Sequence, residues 1–288
     1  MYILTGSRQM ELQQSITQSL AGRTAIIDLL PLSLAELNKA GVQLSRDQAL
    51  FYGGLPRVHA NKIAPDMAYP DYLRTYVERD ARQIVNVRNL KAFDTFIRLL
   101  AARVGQVINY TSLANDVGVS STTIKEWISI LEASYIIFTL HPYYKNYGKR
   151  LTKSPKIYFT EPGLVTSLLG IREPAHISRD PLIGNMFENL IVAELLKAQL
   201  NLGQRPDLFF YRDSNGFEID IILEQQRLPK PIEIKAALTF SPALTKNLRS
   251  FAELVPDALE PALIYSGAPM GTPQGVKVLS YNQVSELI

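Results

Sequence analysis

The chain has 288 residues and no cysteine, with 30 Lys and Arg against 27 Asp and Glu, a formal charge of +3. Disulfides, thiolate zinc sites, iron–sulfur clusters and cysteine nucleophiles are thereby excluded. The three histidines, His59, His141 and His176, stand far apart, so metal chemistry would have to rest on carboxylates. A composition of 47% hydrophobic and 20% charged residues supports sizeable cores. No apolar run reaches the roughly 18 residues of a membrane span, and the start lacks a secretory layout. The expectation is a cytoplasmic protein with no membrane partner.

Residues 81–160 carry eleven Lys or Arg against four Asp or Glu, whereas the rest of the chain is net acidic. That asymmetry points to a polyanion as partner of the middle of the chain. The alternative is a cluster of solvated surface charge.

In chain order, Tyr2–Thr5 reads as a strand, 9–21 as a helix and 24–30 as a second strand, a parallel βαβ unit that cannot form a domain alone. Short helices follow at 34–39 and 47–52, then the turn Gly53-Gly54-Leu55-Pro56 and a charged helical stretch over 69–104. Tyr110–Trp127 reads as helix, tight turn, helix: Ala114 is small where two helices cross, Gly118 supplies a positive φ and Ser120 caps the next helix. Ile124, Trp127, Ile128 and Leu131 recur at helical spacing. This is the pattern of a DNA-binding helix-turn-helix, with Thr122, Thr123 and Lys125 as groove-facing residues. Strands at 135–141 and 156–160 would flank a basic, tyrosine-rich loop to form a wing. Lys145, Lys149, Arg150 and Lys153 are its candidate phosphate contacts. A winged helix used only for packing or protein contacts fits the same pattern.

Beyond 161, a helix is expected over 184–199, strands at 208–212, 217–224 and 231–235, a helix over 242–254 and a strand at 262–265. Period-2 geometry puts Glu218 and Asp220 on one strand face, opposite Phe217, Ile219 and Ile221, and puts Glu233 with Lys235. Paired carboxylates of this kind can hold Mg²⁺. Asp220, Glu233 and Glu188, the last from the preceding helix, are the candidate metal ligands. Lys235 would position water or stabilise developing charge. The order of acidic helix, hairpin ending in Asp and strand with Glu-x-Lys is the layout of a PD-(D/E)xK nuclease core. The alternatives are an inactive relative, or charges on a solvated sheet face.

A string of local motifs accompanies this layout: Leu4-Thr-Gly-Ser-Arg-Gln9, Gly53-Gly-Leu-Pro-Arg57, Tyr76-Val-Glu-Arg-Asp80, Leu131-Glu-Ala-Ser-Tyr135, Phe187-Glu-Asn189 and Tyr211-Arg-Asp213. Together they resemble the bacterial and archaeal family of AAA-type ATPases with a C-terminal domain of unknown function. The resemblance implies a mixed α/β chain in three parts: 1–89 as the end of an ATPase core and its lid, 90–160 as a winged helix-turn-helix, and 161–288 as a restriction-endonuclease-like domain. It also implies nucleotide-sensing roles for Ser7 and Arg23. The chain departs from the family in having no Gly-x-x-x-x-Gly-Lys-Ser/Thr, so the cradle for nucleotide phosphates is missing. ATP, bound by the full-length family, is not expected to bind here; the chain looks like a member without the front half of its ATPase domain. Three functions stay open: a DNA-binding, Mg²⁺-dependent nuclease-like protein, a non-catalytic regulatory or adaptor remnant, and an ATPase subunit completed by another chain. A homo-oligomer or a protein partner is compatible with each.

Overall fold

The computed structural model describes residues 27–76, 90–144 and 153–288. The expected strand–helix–strand start, with Ser7 and Arg23, therefore lies outside the described residues, apart from 27–30. Those four residues carry no regular secondary structure, and Ile27 and Leu29 are exposed. The loop residues Lys145, Lys149 and Arg150 also lie outside.

Four short helices lead in: α1 (Leu34–Lys39), α2 (Arg46–Tyr52), α3 (Pro56–Ala60) and α4 (Pro65–Tyr76). Then come α5 (Leu90–Ala102), α6 (Tyr110–Val117) and α7 (Ser121–Ala133). Asn109 and Ser120 cap α6 and α7 by accepting backbone N–H groups, and Gly118 ends α6 at φ 78°. The predicted helix, turn and helix are therefore present at the expected residues. Trp127 anchors them, its ring 5.2 Å from both Phe93 and Phe96 of α5.

Strands β1 (Ile137–Pro142) and β2 (Lys156–Phe159) pair antiparallel. They are followed by α8 (Pro162–Leu168), α9 (Pro174–Ile177) and the long α10 (Ile183–Asn201). Next come β3 (Leu208–Arg212), β4 (Glu218–Gln225), β5 (Leu228–Lys235), α11 (Lys246–Leu254), β6 (Ala262–Tyr265) and β7 (Lys277–Ser280). The seven strands form one mixed sheet in the order β2-β1-β3-β4-β5-β6-β7, with parallel pairing at β1/β3, β5/β6 and β6/β7. The hairpin that follows the helix-turn-helix is thus part of the same sheet as the C-terminal strands. One core of buried residues runs from Leu34 through Trp127 and α10 to Ile264, and a smaller one lies under α11.

Three differences from the sequence expectation concern the strands and helix of the C-terminal part. Strand β5 starts at Leu228 because Gln226 and Arg227, at φ 52° and 66°, make the two-residue hairpin turn. Pro229 and Pro231 are tolerated because their missing N–H groups face away from β4. The Pro229 carbonyl points to that far side, accepting from Leu259 N, and the β6 ladder begins only at Ile232. The helix expected over 242–254 is a 3-10 turn, Pro242–Thr245, followed by α11. Strand β7 has no sequence counterpart among the expectations. Four residues carry too short a pattern, and parallel pairing with β6 is what makes them a strand.

Helix α10 is buried almost all round, including the polar Asn189, Glu194, Lys197 and Gln199. Its buried ion pair holds the incoming chain: Glu194 accepts from Leu34 N at 2.7 Å, while Lys197 Nζ donates to Leu32 O and Glu194, each at 3.1 Å. Buried charges need such complete partnering.

Candidate carboxylate–lysine site

The site forms where β4 and β5 part. Their ladder runs to Ile221↔Ile232; one step further, the Asp220 carboxylate accepts the Ile234 N–H at 2.8 Å in place of a strand carbonyl. On its other side β4 carries one extra residue: Phe209 pairs with Ile222 but Tyr211 with Ile219. This bulge breaks strict alternation. Ile221 packs in the main core and Ile219 under α11, so the expected shared face of Phe217, Ile219 and Ile221 does not exist. Bulges re-aim side chains, and here the re-aimed residue is Asp220.

Lys235 Nζ lies 3.0 Å from Asp220 Oδ2 and also contacts Glu233 Oε2 as an ion pair without hydrogen-bond geometry. Glu233 is 1% exposed, and the Asn247 amide reaches its other oxygen at 3.5 Å. Glu188, on α10, receives the Tyr158 hydroxyl at 2.5 Å and Lys156 Nζ at 3.1 Å, both on Oε1. Lys156 also lies 2.6 Å from Glu218 Oε1, and Arg212 approaches the other Glu218 oxygen at 3.8 Å.

The electrostatics follow from burial and crowding. Burial and the neighbouring Asp220 charge push the Glu233 carboxyl up to about 8, against the opposing pull of Lys235. Burial and Asp220 likewise raise Glu188, against Lys156. For Lys156, burial is outweighed by Glu188, Glu218 and Asp220, so its ammonium is held above the usual lysine range. Lys235 is raised too, its burial outweighed by Asp220 and Glu233. Two ammoniums and the distant Arg212 thus face four carboxylates.

Of the predicted residues, Glu188, Asp220, Glu233 and Lys235 fall in this one neighbourhood. Thr122 and Lys125 are exposed on α7 and Thr123 is half-buried, its hydroxyl 2.9 Å from the Ser120 hydroxyl. The Lys125 ammonium lies 5.4 Å over the Tyr110 ring, and Lys153 is exposed. Sequence reasoning missed Tyr158 and Asn247 and counted Lys156 only among the eleven basic residues of 81–160. The alternation of Lys156 and Tyr158 along β2 was the available signal.

Among the described residues, no group of three or more histidines or acids is placed as a metal cage. Mg²⁺ does not require one, because it is commonly held by one or two carboxylates with waters and substrate phosphate. Asp220 and Glu233, both in contact with one ammonium, provide hard oxygens of that kind, and the donor set fits.

Comparison with known proteins divides the chain in two. Residues 43–175 match the domain of unknown function DUF8612, and residues 183–283 match the domain of unknown function DUF4143. An uncharacterized protein of Mycobacterium tuberculosis, Rv2008c, is 28% identical over 251 residues, covering 86% of this chain and 55% of its own length. Its Mycobacterium bovis counterpart, Mb2031c, matches to the same extent. An uncharacterized protein of Haemophilus influenzae is 25% identical over 209 residues, covering 68% of this chain and 50% of its own. The chain therefore spans about half the length of the curated relatives it matches. No solved structure matches. The DUF4143 match agrees with the C-terminal part of the resemblance drawn from the sequence.

Proposed function

We propose that the chain binds DNA through a winged helix-turn-helix and cleaves phosphodiesters at a Mg²⁺-dependent, nuclease-like site in its C-terminal part. The observation that carries this reading is the meeting of Asp220, Glu233 and Lys235 at a bulged, parting pair of strands, with Glu188 beside them. Asp220 and Glu233 would hold the cation, which would supply an activated water and a polarised phosphate. Lys235, already donating to Asp220, stands where an ammonium can orient that water or neutralise charge developing on the phosphate. In this reading the ATPase resemblance makes 1–89 part of a nucleotide-binding core.

A second reading is a non-catalytic regulatory or adaptor module. Its support is that Lys235 and Lys156 already satisfy the carboxylates as internal counter-ions.

The deciding experiment incubates the chain with linear, supercoiled and branched DNA and Mg²⁺ or Mn²⁺. Cleavage that Asp220→Ala and Lys235→Ala each abolish is expected. Cleavage indifferent to both substitutions, or none at all, sinks the nuclease reading.

A further inference from the structure

We infer that Lys156, assisted by Tyr158, is a positioning residue of the carboxylate site, a buried clamp that fixes Glu188 for cation binding. The inference rests on the cation reading above and deepens it by extending the site beyond the C-terminal match.

The geometry is specific. The Lys156 side chain is only 4% exposed, and its ammonium lies 5.4 Å over the Phe210 ring of β3 and ends between Glu188 and Glu218. It thereby joins β2, α10 and β4, although β2 and β4 stand three places apart in the sheet. Two donors, Lys156 Nζ and the Tyr158 hydroxyl, meet on the single oxygen Glu188 Oε1. Among the described residues no donor is placed on Oε2. A glutamate left loose forfeits side-chain entropy when it is ordered by a ligand; one pinned through Oε1 has met that cost before the ligand arrives and keeps its second oxygen to offer. Partners of this kind behind a metal ligand orient it and tune its affinity.

Packing alone does not account for Lys156. Removing an ammonium from water is costly, and an apolar side chain could fill the same space. Its position is instead built in by backbone on both sides. Val107 bridges to Lys156, and Gly105 N donates to the Ile157 carbonyl at 2.8 Å, so β2 is tied to the segment that enters α6. A Cβ on Gly105 would come 3.5 Å from the Glu188 carboxyl group, so this segment walls the site as well. Lys156 and Tyr158 lie in the region matched by DUF8612, while Glu188, Glu218, Asp220, Glu233 and Lys235 lie in that matched by DUF4143. The two matched regions meet at one site, and the second lacks its clamp without the first.

The test is Mn²⁺ binding to the full chain, followed by electron paramagnetic resonance, with Asp220→Asn as the control that removes the site. Lys156→Met is expected to weaken Asp220-dependent binding by about tenfold or more, the usual effect of losing a partner behind a metal ligand, and to alter the spectrum of the bound ion. Tyr158→Phe, which keeps the ring and the lysine, is expected to weaken it less, with an unchanged melting temperature. Should Lys156→Met fail to fold, Tyr158→Phe decides alone. Unchanged affinity in the variants overturns the clamp and leaves the cation reading standing. Tighter binding in Lys156→Met also overturns it, because the lysine would then be a competitor for the carboxylate. If the native chain shows no Asp220-dependent Mn²⁺ binding, the cation reading itself fails and the clamp falls with it.

Discussion

Glu161 shows how a single buried group can set a pH dependence. Its Oε1 accepts from Gly54 N and the Tyr69 hydroxyl, each at 2.8 Å, and from Gly163 N at 3.2 Å, while Oε2 is buried with no partner. Burial raises its pKa above the ordinary carboxylate value, although Lys197 and the three donors oppose it. The folded state therefore keeps this proton when the unfolded chain has lost it. Stability is greatest below the ordinary carboxylate range and declines as pH rises through the raised one. Urea midpoints measured from the ordinary carboxylate range upward should fall for the native chain, and Glu161→Gln should flatten that fall. Glu233, raised to about 8, contributes with the same sign, so the slope should shrink and not vanish. A slope unaltered by Glu161→Gln would mean that this carboxyl is ionised in the fold.

At the scale of elements, the helix-turn-helix owes its shape to few residues. Gly118 sits at φ 78° with nothing within 4 Å of where a Cβ would stand, so its requirement is conformational and not steric crowding. Gly118→Ala should cost about 1–2 kcal/mol, the penalty for a left-handed L-residue, read as a shift in urea midpoint. A cost near zero would show that the turn relaxes into another geometry. This element was legible in the sequence because everything that makes it is local: a cap, a turn glycine and apolar residues at helical spacing. The β4–β5 hairpin was legible only in part. Its alternating strands could be read, but the bulge at Asp220 depends on how β3 pairs with β4, which no local pattern encodes.

For the whole molecule, the seven-stranded sheet matters most, because it carries the post-helix hairpin and the carboxylate strands together. If the basic loop of that hairpin engages DNA through Lys145, Lys149, Arg150 and Lys153, each neutralised phosphate should release counter-ions. The slope of log affinity against log salt should then be about −3 to −4. Substituting all four should flatten it, and a salt-insensitive native affinity would remove DNA phosphates as the loop's partner. Among the described residues no helix is long and apolar enough to cross a membrane, in line with the sequence.

The sequence alone determined the helix, turn and helix of α6 and α7, the long α10, most of the strands and the grouping of Glu188, Asp220, Glu233 and Lys235 in one neighbourhood. These follow from periodicity, capping and turn chemistry, which act over a few residues. Only the tertiary structure decided that Lys156 and Tyr158 belong with them, that Asp220 is turned by a bulge, and that β7 is a strand. Each of those depends on contacts between residues distant in the chain. The opening charge arithmetic changes accordingly: Lys156 was counted as a positive charge of the basic stretch 81–160, yet it is buried and paired with two carboxylates.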